Sequence, residues 1–433
     1  MKRVLIIAYG WPPAGGIGVL RCLKFAKYLR EFGWEPVVLT VKNPTYQFLD
    51  YENQKDVPDG IEMHYVPFWE PTSLFKVVSG RKKKESLQNI VTNSGKKRSI
   101  IDKLGMWVRG NFFIPDARKN WIKPSVKYLN EYLKSNQVDA ILTDGPPHTN
   151  TVIGMRIAQQ HNIPWLSDFQ DPWTQIDYYS DLYIGKRADR IHKKLEQEVF
   201  KTAKKITIAS PSWKVDLESI GAKNVDVIYY GYDEDDFNGF KELEKPKFKI
   251  FHAGLLGSDR NPSDFLEIIK ELIEEEPELR SIIEIVLAGE VDYEVKQVIE
   301  SNNLADITEY TGMIPRSQVF NHYQDSSLLL LPINQAENAQ GRMPGKLYEY
   351  LRSKVSILVF GPEVSDVKTI VENKKLGKSF NYSGNKEGMK EYVQSILEAY
   401  RNKHDINLNV DVSEFSNKNQ TKIIAQYLDE ISK

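Results

Sequence analysis

Short apolar runs rich in β-branched residues alternate with longer amphipathic stretches along nearly the whole chain. The first half has six such runs, at 3–9, 36–41, 139–145, 164–169, 205–210 and 225–231. The runs are almost unbroken in hydrophobicity, as expected of strands that are buried on both faces of a sheet. Helical patterns lie between them, for example at 19–31 and 149–161. This alternation predicts parallel strands covered by helices, a Rossmann-like α/β sheet.

A second series of the same kind follows a polar stretch at 233–247 that contains glycine and proline. Its six predicted strands fall at 248–254, 283–289, 307–312, 327–333, 356–361 and 377–382, and a last helical pattern covers 420–432. A chain of 433 residues is long enough for two domains. We therefore predict two Rossmann-like domains facing a cleft, at 1–232 and 248–412, joined by a linker at 233–247. The segment 413–433 is predicted to be a C-terminal helix.

Composition places the chain among globular proteins and excludes several kinds of site. Hydrophobic residues make up 41% and charged residues 27%, and the net charge of −1 selects no partner. Cys22 is the single cysteine, which excludes an intrachain disulfide or a cysteine-based zinc site and suits a reducing compartment. No run reaches the roughly 18 apolar residues of a membrane helix, and the apolar run at 4–9 is too short for a signal peptide. We expect a cytoplasmic protein.

The loop after the first strand is rich in glycine. Gly15, Gly16 and Gly18 precede or open a predicted helix, so a ligand could approach the backbone and the helix start, which favours anions. The pattern differs from the dinucleotide fingerprint, because Arg21 occupies the place of its third glycine. The strand at 36–41 also lacks a following acid to hold a ribose, which argues against a dehydrogenase. The alternative is a plain strand-to-helix turn.

The stretch GRMPGKLYEYL, at 341–351, combines features of a phosphate site and a ribose site. Gly345 leaves room for a ligand at the start of a helix, and Lys346 adds a full charge to the positive end of the helix dipole. Glu349 lies one turn further on the same side, within reach of ligand hydroxyls, while Leu347 belongs to the apolar stripe. The alternative is a simple Lys346–Glu349 pair worth about 0.2–0.5 kcal/mol. A Walker A motif is excluded by the spacing and by Leu347 in place of Ser or Thr.

Polar side chains also follow two strands of the first domain and one of the second. The strand at 139–145 ends with Asp144 and is followed by His148, and Asp168, Gln170 and Asp171 lie at the end of the next strand. Such groups could contact sugar hydroxyls or act as a general base, but the aspartates could equally cap turns and His148 could simply open a helix.

In the second domain, Arg260 follows the loop of Gly254 and Gly257. Its planar fork suits a phosphate, although a surface arginine that caps the loop explains the pattern as well.

Taken in order, these segments resemble GT-B-fold glycosyltransferases of the family 4 type, especially the branch that builds bacterial surface polysaccharides. The segments that carry the resemblance are YGWPPAGGIGVLRCLKFAKYL, TDGPPHT, PWLSDFQDPW, IYYGYDEDDF and MPGKLYEYL. The resemblance covers nearly the whole chain. It implies transfer of a sugar from a nucleotide-diphosphate sugar, with UDP the commonest nucleotide, to a glycan or lipid-linked acceptor. It also implies retention of the anomeric configuration and no metal ion or other cofactor.

The resemblance further implies roles for individual residues. Glu349 would hold the ribose, and Lys346, Gly345 and Leu347 at the helix start would meet the diphosphate. Arg260 would contact a second phosphate, and Ile314 in the segment TGMIP would lie against the base.

In the first domain, Gly15 and Gly16 would face the diphosphate or the acceptor. The candidate catalytic residues are Asp171, His148 and Gln170, and Asp144 and Asp168 are further candidate substrate contacts. The final helix would cross back to the first domain.

The chain departs from the broader family at three positions. Leu255 stands where many members have arginine, Gln170 or Asp171 must serve where many have histidine, and Gly341 occupies the first acid position of the usual Glu-x7-Glu pair. Two alternatives therefore stay open: a sugar-nucleotide epimerase of the same fold, and a protein of this fold that binds a nucleotide sugar or a partner enzyme without catalysis.

A basic segment raises the further possibility of contact with a membrane surface. Residues 76–124 contain thirteen Lys or Arg and three Asp or Glu, with clusters at 81–84 and 96–98 and the aromatic side chains of Trp107, Phe112 and Phe113. Such a segment, at 81–113, suits an anionic membrane surface and would place the protein at the inner face of the cell membrane. A solvated loop is the alternative. Nothing else in the sequence supports binding to nucleic acid. Unchanged binding to anionic vesicles after removal of the cations would contradict the membrane interpretation.

Overall fold

The computed structural model describes residues 1–46, 48–69, 100–240, 245–336, 338–403 and 410–433. The chain divides into two compact units, Met1–Tyr230 together with Asn417–Lys433, and Gly231–Ser416. Part of the predicted linker, 241–244, lies outside the described residues. Another part, Glu234–Phe237, forms a short 3-10 helix within the second unit, where Phe237 packs edge-on against Phe320.

The first unit is built on one parallel sheet of seven strands. Along the chain these are β1 (Lys2–Ile7), β2 (Trp34–Val41), β3 (Glu62–Val66), β4 (Ala140–Gly145), β5 (Trp165–Phe169), β6 (Lys205–Ile208) and β7 (Val225–Val227). Their order across the sheet is β3-β2-β1-β4-β5-β6-β7. The six predicted strands are all present, but β3 was not predicted, since its sequence EMHYV carries polar residues and it lies at the sheet edge, mostly half-buried.

Helices cover both faces of this sheet, as its near-continuous hydrophobicity predicts. They are α1 (Ile17–Leu29), α2 (Ile100–Phe112), α3 (Ile122–Tyr132), α4 (His148–His161), α5 (Lys186–Thr202) and α6 (Pro211–Ser219). Neighbouring residues of β1 belong to different cores: Leu5 and Ile7 pack in one, and Val4 and Ile6 in the other. This alternation follows from the period of two along a strand. It explains why the strand has no polar side.

The second unit repeats the architecture with six parallel strands. These are β8 (Phe248–Ala253), β9 (Ile283–Ala288), β10 (Thr308–Gly312), β11 (Leu328–Pro332), β12 (Ser356–Phe360) and β13 (Gly377–Phe380). Their order is β10-β9-β8-β11-β12-β13. The helices are α7 (Ser263–Glu275), α8 (Leu279–Ile282), α9 (Tyr293–Ser301), α10 (Arg316–Asp325), α11 (Lys346–Ser353), α12 (Asp366–Asn373) and α13 (Lys386–Arg401). The prediction of two Rossmann-like sheets is confirmed.

The last helix, α14 (Asn417–Ile431), returns to the first unit, as predicted. Ile424, Ala425 and Leu428 enter the core that contains α1. The side chain of Lys418 also forms an ion pair with Glu31, with 2.6 Å between nitrogen and oxygen. The C-terminal segment is therefore part of the first unit although its sequence follows the second.

Both sheets have a point at which the strand order reverses direction, and this is where open α/β sheets bind ligands. In the first unit it lies between β1 and β4, and in the second between β8 and β11. Gly15 and Gly254 lie on the loops that leave β1 and β8, Asp144 lies at the carboxyl end of β4, and Lys346 begins the helix that follows β11. The topology thus explains why the unusual residues of the sequence follow strands.

The segment predicted to meet a membrane is only partly described. Residues 81–99 lie outside the described residues, and α2 begins directly after them. On α2 the side chains of Leu104, Trp107 and Phe112 are exposed. The membrane interpretation stays a prediction. In the described part of the chain, no helix is both long enough and apolar enough to cross a membrane.

Candidate functional site

The ammonium of Lys346, the first residue of α11, lies at the carboxyl end of β8, as the position of the helix after a strand predicts. The Lys346 ammonium donates a hydrogen bond to the carbonyl oxygen of Ala253, the last residue of β8, at 2.7 Å. Burial and the nearby Arg260 cation lower the pKa of Lys346 to about 7, against a smaller opposing effect of Glu349. The ammonium is therefore held among few compensating charges, which favours the approach of an anion.

Glu349 has partners from elsewhere in the second unit and not from its own helix. One carboxylate oxygen accepts a hydrogen bond from Arg316 Nη2 at 2.7 Å, and the other accepts one from Tyr323 Oη at 2.9 Å. Arg316 also lies 3.1 Å from a carboxylate oxygen of Asp236. These contacts replace the simple Lys346–Glu349 pair. Because each carboxylate oxygen can accept more than one hydrogen bond, Glu349 can still receive ligand hydroxyls, and its side chain is 16% exposed.

The backbone around Lys346 requires glycine at two positions. Gly254 has φ +120°, and a Cβ atom there would lie 3.0 Å from Lys346 Nζ. Gly289 has φ +122°, and a Cβ atom there would lie 2.3 Å from the Gly254 carbonyl oxygen. The loops after β8 and β9 thus pass close to each other, and the space beside the ammonium depends on the absence of side chains.

The remaining candidate residues of the second unit differ in how far their side chains are exposed to solvent. Arg260 is partly exposed and forms an ion pair with Asp259 at 3.1 Å. Ile314, after β10, is half-buried. Leu347 is fully buried, so its side chain belongs to the core, and its N–H donates to the Pro344 carbonyl oxygen at 2.9 Å. The helix starts at Lys346, and Gly345 lies at its N-cap.

In the first unit, Asp168 belongs to an internal ion pair. Its carboxylate accepts hydrogen bonds from Arg21 Nε at 2.6 Å, from Arg21 Nη2 at 2.8 Å and from Thr207 Oγ1 at 2.5 Å. The Asp168 side chain is 1% exposed. This geometry supports a structural role for Asp168, whereas the sequence suggested a substrate contact.

Sequence reasoning gave Arg21 no role beyond excluding the dinucleotide fingerprint. A charged residue within the apolar stripe of a helix was the signal that could have identified it, and Lys24 repeats this signal with Asp56 as its buried partner at 2.6 Å.

Asp144 and Gln170 connect the glycine-rich loop to the ends of β4 and β5. The Gln170 amide donates to an Asp144 carboxylate oxygen and also to the Gly18 carbonyl oxygen, the latter at 3.0 Å. Burial, and then the neighbouring Asp168 carboxylate, raise the pKa of Asp144 to about 8. A Cβ atom on Gly18 would lie 2.7 Å from Gln170 Oε1. The glycine at position 18 therefore allows a contact within the protein.

Gly15 and Gly16 form the turn into α1. Gly16 has φ +102° and caps the helix, and the N–H of Gly15 donates to the Phe48 carbonyl oxygen at 3.0 Å. The two glycines lie where the sequence predicts them, at the helix start beyond β1. Their contact with a ligand stays a prediction.

His148 and Asp171 line one cavity of the first unit, with a volume of about 280 Å³. The His148 ring stacks on Trp173, with 4.5 Å between ring centroids and 6° between planes. Burial and the nearby His192 lower the pKa of His148 to about 3, so the imidazole is neutral. Among the described residues, His148 Nδ1 has no hydrogen-bond partner. The structure thus brings two of the three candidate catalytic residues together, while Gln170 lies in the buried network.

The fold is shared with solved structures of low sequence identity. A glycosyltransferase from Rickettsia africae has a TM-score of 0.60 and 15% identity, covering 100% of this chain and 99% of that one. S. aureus TarM in complex with Fondaparinux, alpha-GlcNAc-glycerol and UDP has a TM-score of 0.57 and 12% identity, covering 100% and 99%. A putative UDP-N-acetylglucosamine 2-epimerase from Listeria monocytogenes has a TM-score of 0.56 and 11% identity, covering 99% and 98%.

At these identities the likeness shows a GT-B-like fold and nothing of the chemistry. No protein-family model matches this chain, and no curated protein matches it.

Proposed function

We propose that this chain is a glycosyltransferase that moves a sugar from a nucleotide-diphosphate sugar, UDP-linked by family frequency, to a glycan or lipid-linked acceptor in surface polysaccharide biosynthesis. The observation that carries the proposal is the start of α11. There a weakly compensated ammonium and a carboxylate held by two partners lie one helical turn apart, at the carboxyl end of a parallel sheet. This arrangement matches the two parts of a nucleoside diphosphate, its phosphates and its ribose diol.

The diphosphate would bind at the helix start. A phosphate there meets the positive end of the helix dipole and the Lys346 ammonium together. Arg260, at the end of the short 3-10 helix Ser258–Arg260 after β8, would add a second cation, since it already influences Lys346 electrostatically. The glycines at 254 and 289 keep this space free of side chains.

The ribose would bind to the Glu349 carboxylate. Arg316 and Tyr323 fix the orientation of this carboxylate before any ligand arrives, which lowers the entropy lost on binding. A carboxylate that accepts hydrogen bonds from hydroxyl groups suits a diol, and a charged acceptor strengthens each such bond.

We infer from the resemblance to family 4 glycosyltransferases that the transfer retains the anomeric configuration and needs no metal ion. The bond between the anomeric carbon and the diphosphate oxygen breaks, and the acceptor oxygen bonds to the same face of that carbon. The leaving phosphate takes the proton of the acceptor hydroxyl. Lys346 and the helix start would stabilise the charge that develops on the diphosphate. Asp171 and His148 would position the acceptor, and His148 would do so as a neutral imidazole.

A sugar-nucleotide epimerase of the same fold is the second candidate, favoured by the likeness to the Listeria structure. An epimerase would convert a sugar nucleotide without any acceptor. A protein that binds a nucleotide sugar without catalysis is the third candidate. It is supported by Leu255 and Gly341, which stand where many family members have an arginine and an acid.

Thermal unfolding with a panel of nucleotides tests the proposal first. We expect one of UDP, GDP, CDP, ADP or dTDP to stabilise the protein by about 2.7 kcal/mol at 100 times its dissociation constant. The matching sugar nucleotides are then incubated with the enzyme and analysed by NMR. Slow hydrolysis, or transfer to a product with the same anomeric configuration as the donor, supports a retaining transferase, and conversion of the sugar without acceptor supports the epimerase. If no nucleotide shifts the melting temperature at millimolar concentration, donor binding is refuted.

The affinity for the nucleotide is expected to fall as the pH rises from 7 to 9. Free Lys346 has a pKa of about 7, so it loses its proton in this range, whereas a bound diphosphate favours the charged form. Binding must then take up a proton, and we expect Kd to increase by about tenfold or more. Isothermal titration calorimetry at both pH values measures this.

The Lys346→Arg variant is the matched control. Because arginine stays charged across this range, its Kd should change by less than about twofold. An equally steep pH dependence in this variant would show that another group is responsible.

A further inference from the structure

The cavity that His148 lines also has two arginine side chains in its wall, and the proposed transfer reaction gives neither of them a role. It lies within the first unit, and both Arg109 on α2 and Arg118 line it. Aromatic side chains form much of the remaining wall: Tyr9, Phe113, Trp173, Tyr178 and Tyr179. The guanidinium of Arg118 lies over the Tyr9 ring, 5.1 Å from its centroid. Two arginines and an aromatic wall are a recognisable combination for a ligand that is both cyclic and anionic.

The negative groups of the same wall have other functions. Asp116 accepts hydrogen bonds from Thr149 N at 2.8 Å, Thr149 Oγ1 at 2.9 Å and Arg118 N at 2.8 Å. Thr149 is in the first turn of α4, so the Asp116 charge is placed at the positive end of that helix. Asp171 also has protein partners. His148 is neutral, and burial lowers the pKa of His192 as well.

Arg109 is left with a charge that no neighbour neutralises directly. Within the described ranges, its guanidinium forms no ion pair and no side-chain hydrogen bond, although it is half-buried. Burial and the like charge of Arg118 lower the pKa of Arg109, and Tyr178 and Asp116 oppose this only partly. An arginine remains charged under these conditions. A half-buried guanidinium without a counter-charge is costly, and an anionic ligand would remove that cost.

We propose that this cavity binds an anionic group, a carboxylate or a phosphate, on the sugar acceptor, and that Arg109 is its specificity-determining contact. A volume of about 280 Å³ suits one small cyclic group rather than an extended ligand. That the anionic molecule is the acceptor rests on the proposed glycosyltransferase function; the anion site itself does not.

Ligand-observed NMR titration of the full chain with three small probes tests this proposal. Methyl glucuronide carries a carboxylate, glucose 6-phosphate carries a phosphate, and methyl glucoside is the neutral match. At least one anionic probe should bind about tenfold or more tighter than the glucoside, since a hydrogen bond to a charged group is worth about that much. Which anionic probe binds better identifies the group as carboxylate or phosphate.

Three variants assign the effect to Arg109. Arg109→Gln should reduce the affinity for the anionic probe by about tenfold or more and leave the glucoside unaffected. The affinity of Arg109→Lys for the anionic probe should lie between those of Arg109→Gln and the wild type, because lysine keeps the charge but lacks the planar fork of arginine. Arg280→Gln, at an exposed arginine of the second unit that pairs with Asp306, is the matched control and should bind as the wild type does.

Two results would overturn the proposal: equal binding of anionic and neutral probes by the wild type, or unchanged anion binding by Arg109→Gln. The first result needs no variant and so does not depend on the folding of one. The nucleotide-induced melting shift reports on the donor site separately. If the anion preference depends on Arg109 while no nucleotide binds, the anion site stands and the glycosyltransferase proposal fails.

Discussion

Replacing Arg21 by methionine is expected to destabilise the first unit by about 3–5 kcal/mol, the usual cost of breaking a buried ion pair. The change leaves the Asp168 carboxylate buried with Thr207 as its remaining side-chain donor. It also removes a positive charge that lowers the pKa of Asp144, which burial and Asp168 already raise to about 8. Two buried carboxyl groups would then lie close together without the cation that favours their ionised forms. Urea titration and scanning calorimetry of the variant and the wild type measure the loss of unfolding free energy of the first unit.

Two comparisons give this prediction its control. The double variant Arg21→Met with Asp168→Leu should recover much of the loss, because replacing both charges avoids an unpaired one. Arg280→Met removes an exposed ion pair with Asp306 and should cost less than about 1 kcal/mol. If Arg21→Met proves as mild as Arg280→Met, the network around Asp168 is not a source of stability, and a ligand role for Asp168 regains support.

Most strands of this protein could be predicted because a strand that is buried on both faces is largely apolar. This pattern, together with the alternation of strands and helices, located twelve of the thirteen strands that the structure describes. The exception, β3, has one neighbouring strand, β2, and is half-buried, so its sequence EMHYV carries no such run. The edge strands β10 and β13 are also incompletely buried, but they were predicted because they continue the regular alternation of strands and helices.

The positions of the candidate site residues along the chain could be predicted, but their hydrogen-bond and ion-pair partners could not. That Lys346 and Glu349 share a side of one helix follows from the helical period of 3.6 residues. That Arg316 and Tyr323 hold Glu349 does not, because these residues precede it by 33 and 26 positions and meet it only through the fold. The same is true of Arg21 and Asp168, which are 147 residues apart. Spacing along a helix is a local property, whereas ion pairs between elements depend on how the elements pack.

The Glu349→Gln variant is expected to bind the nucleotide about tenfold to 100-fold more weakly, which corresponds to the loss of charged hydrogen bonds to two hydroxyls. Glutamine keeps the size of the side chain and an oxygen that can accept from Arg316, so the fold of the second unit should be retained. Glu363→Gln, at an exposed carboxylate paired with Lys368 in the same unit, is the matched control and should bind as the wild type does. Calorimetric titration with UDP, or with whichever nucleotide stabilises the protein, measures both.

Loss of affinity alone would not show where Glu349 acts, since any change near Lys346 could weaken a diphosphate. A cycle that combines the variant with a 2′-deoxyribose nucleotide separates the two explanations. If the carboxylate holds the ribose diol, the wild type prefers the ribose form by about tenfold or more, and Glu349→Gln removes most of that preference, because both changes delete the same hydrogen bond. If the variant weakens both nucleotides equally, Glu349 acts on the helix start and on Lys346, and the assignment of the ribose to this carboxylate is wrong. The coupling between variant and ligand therefore identifies the contact, which neither change could do by itself.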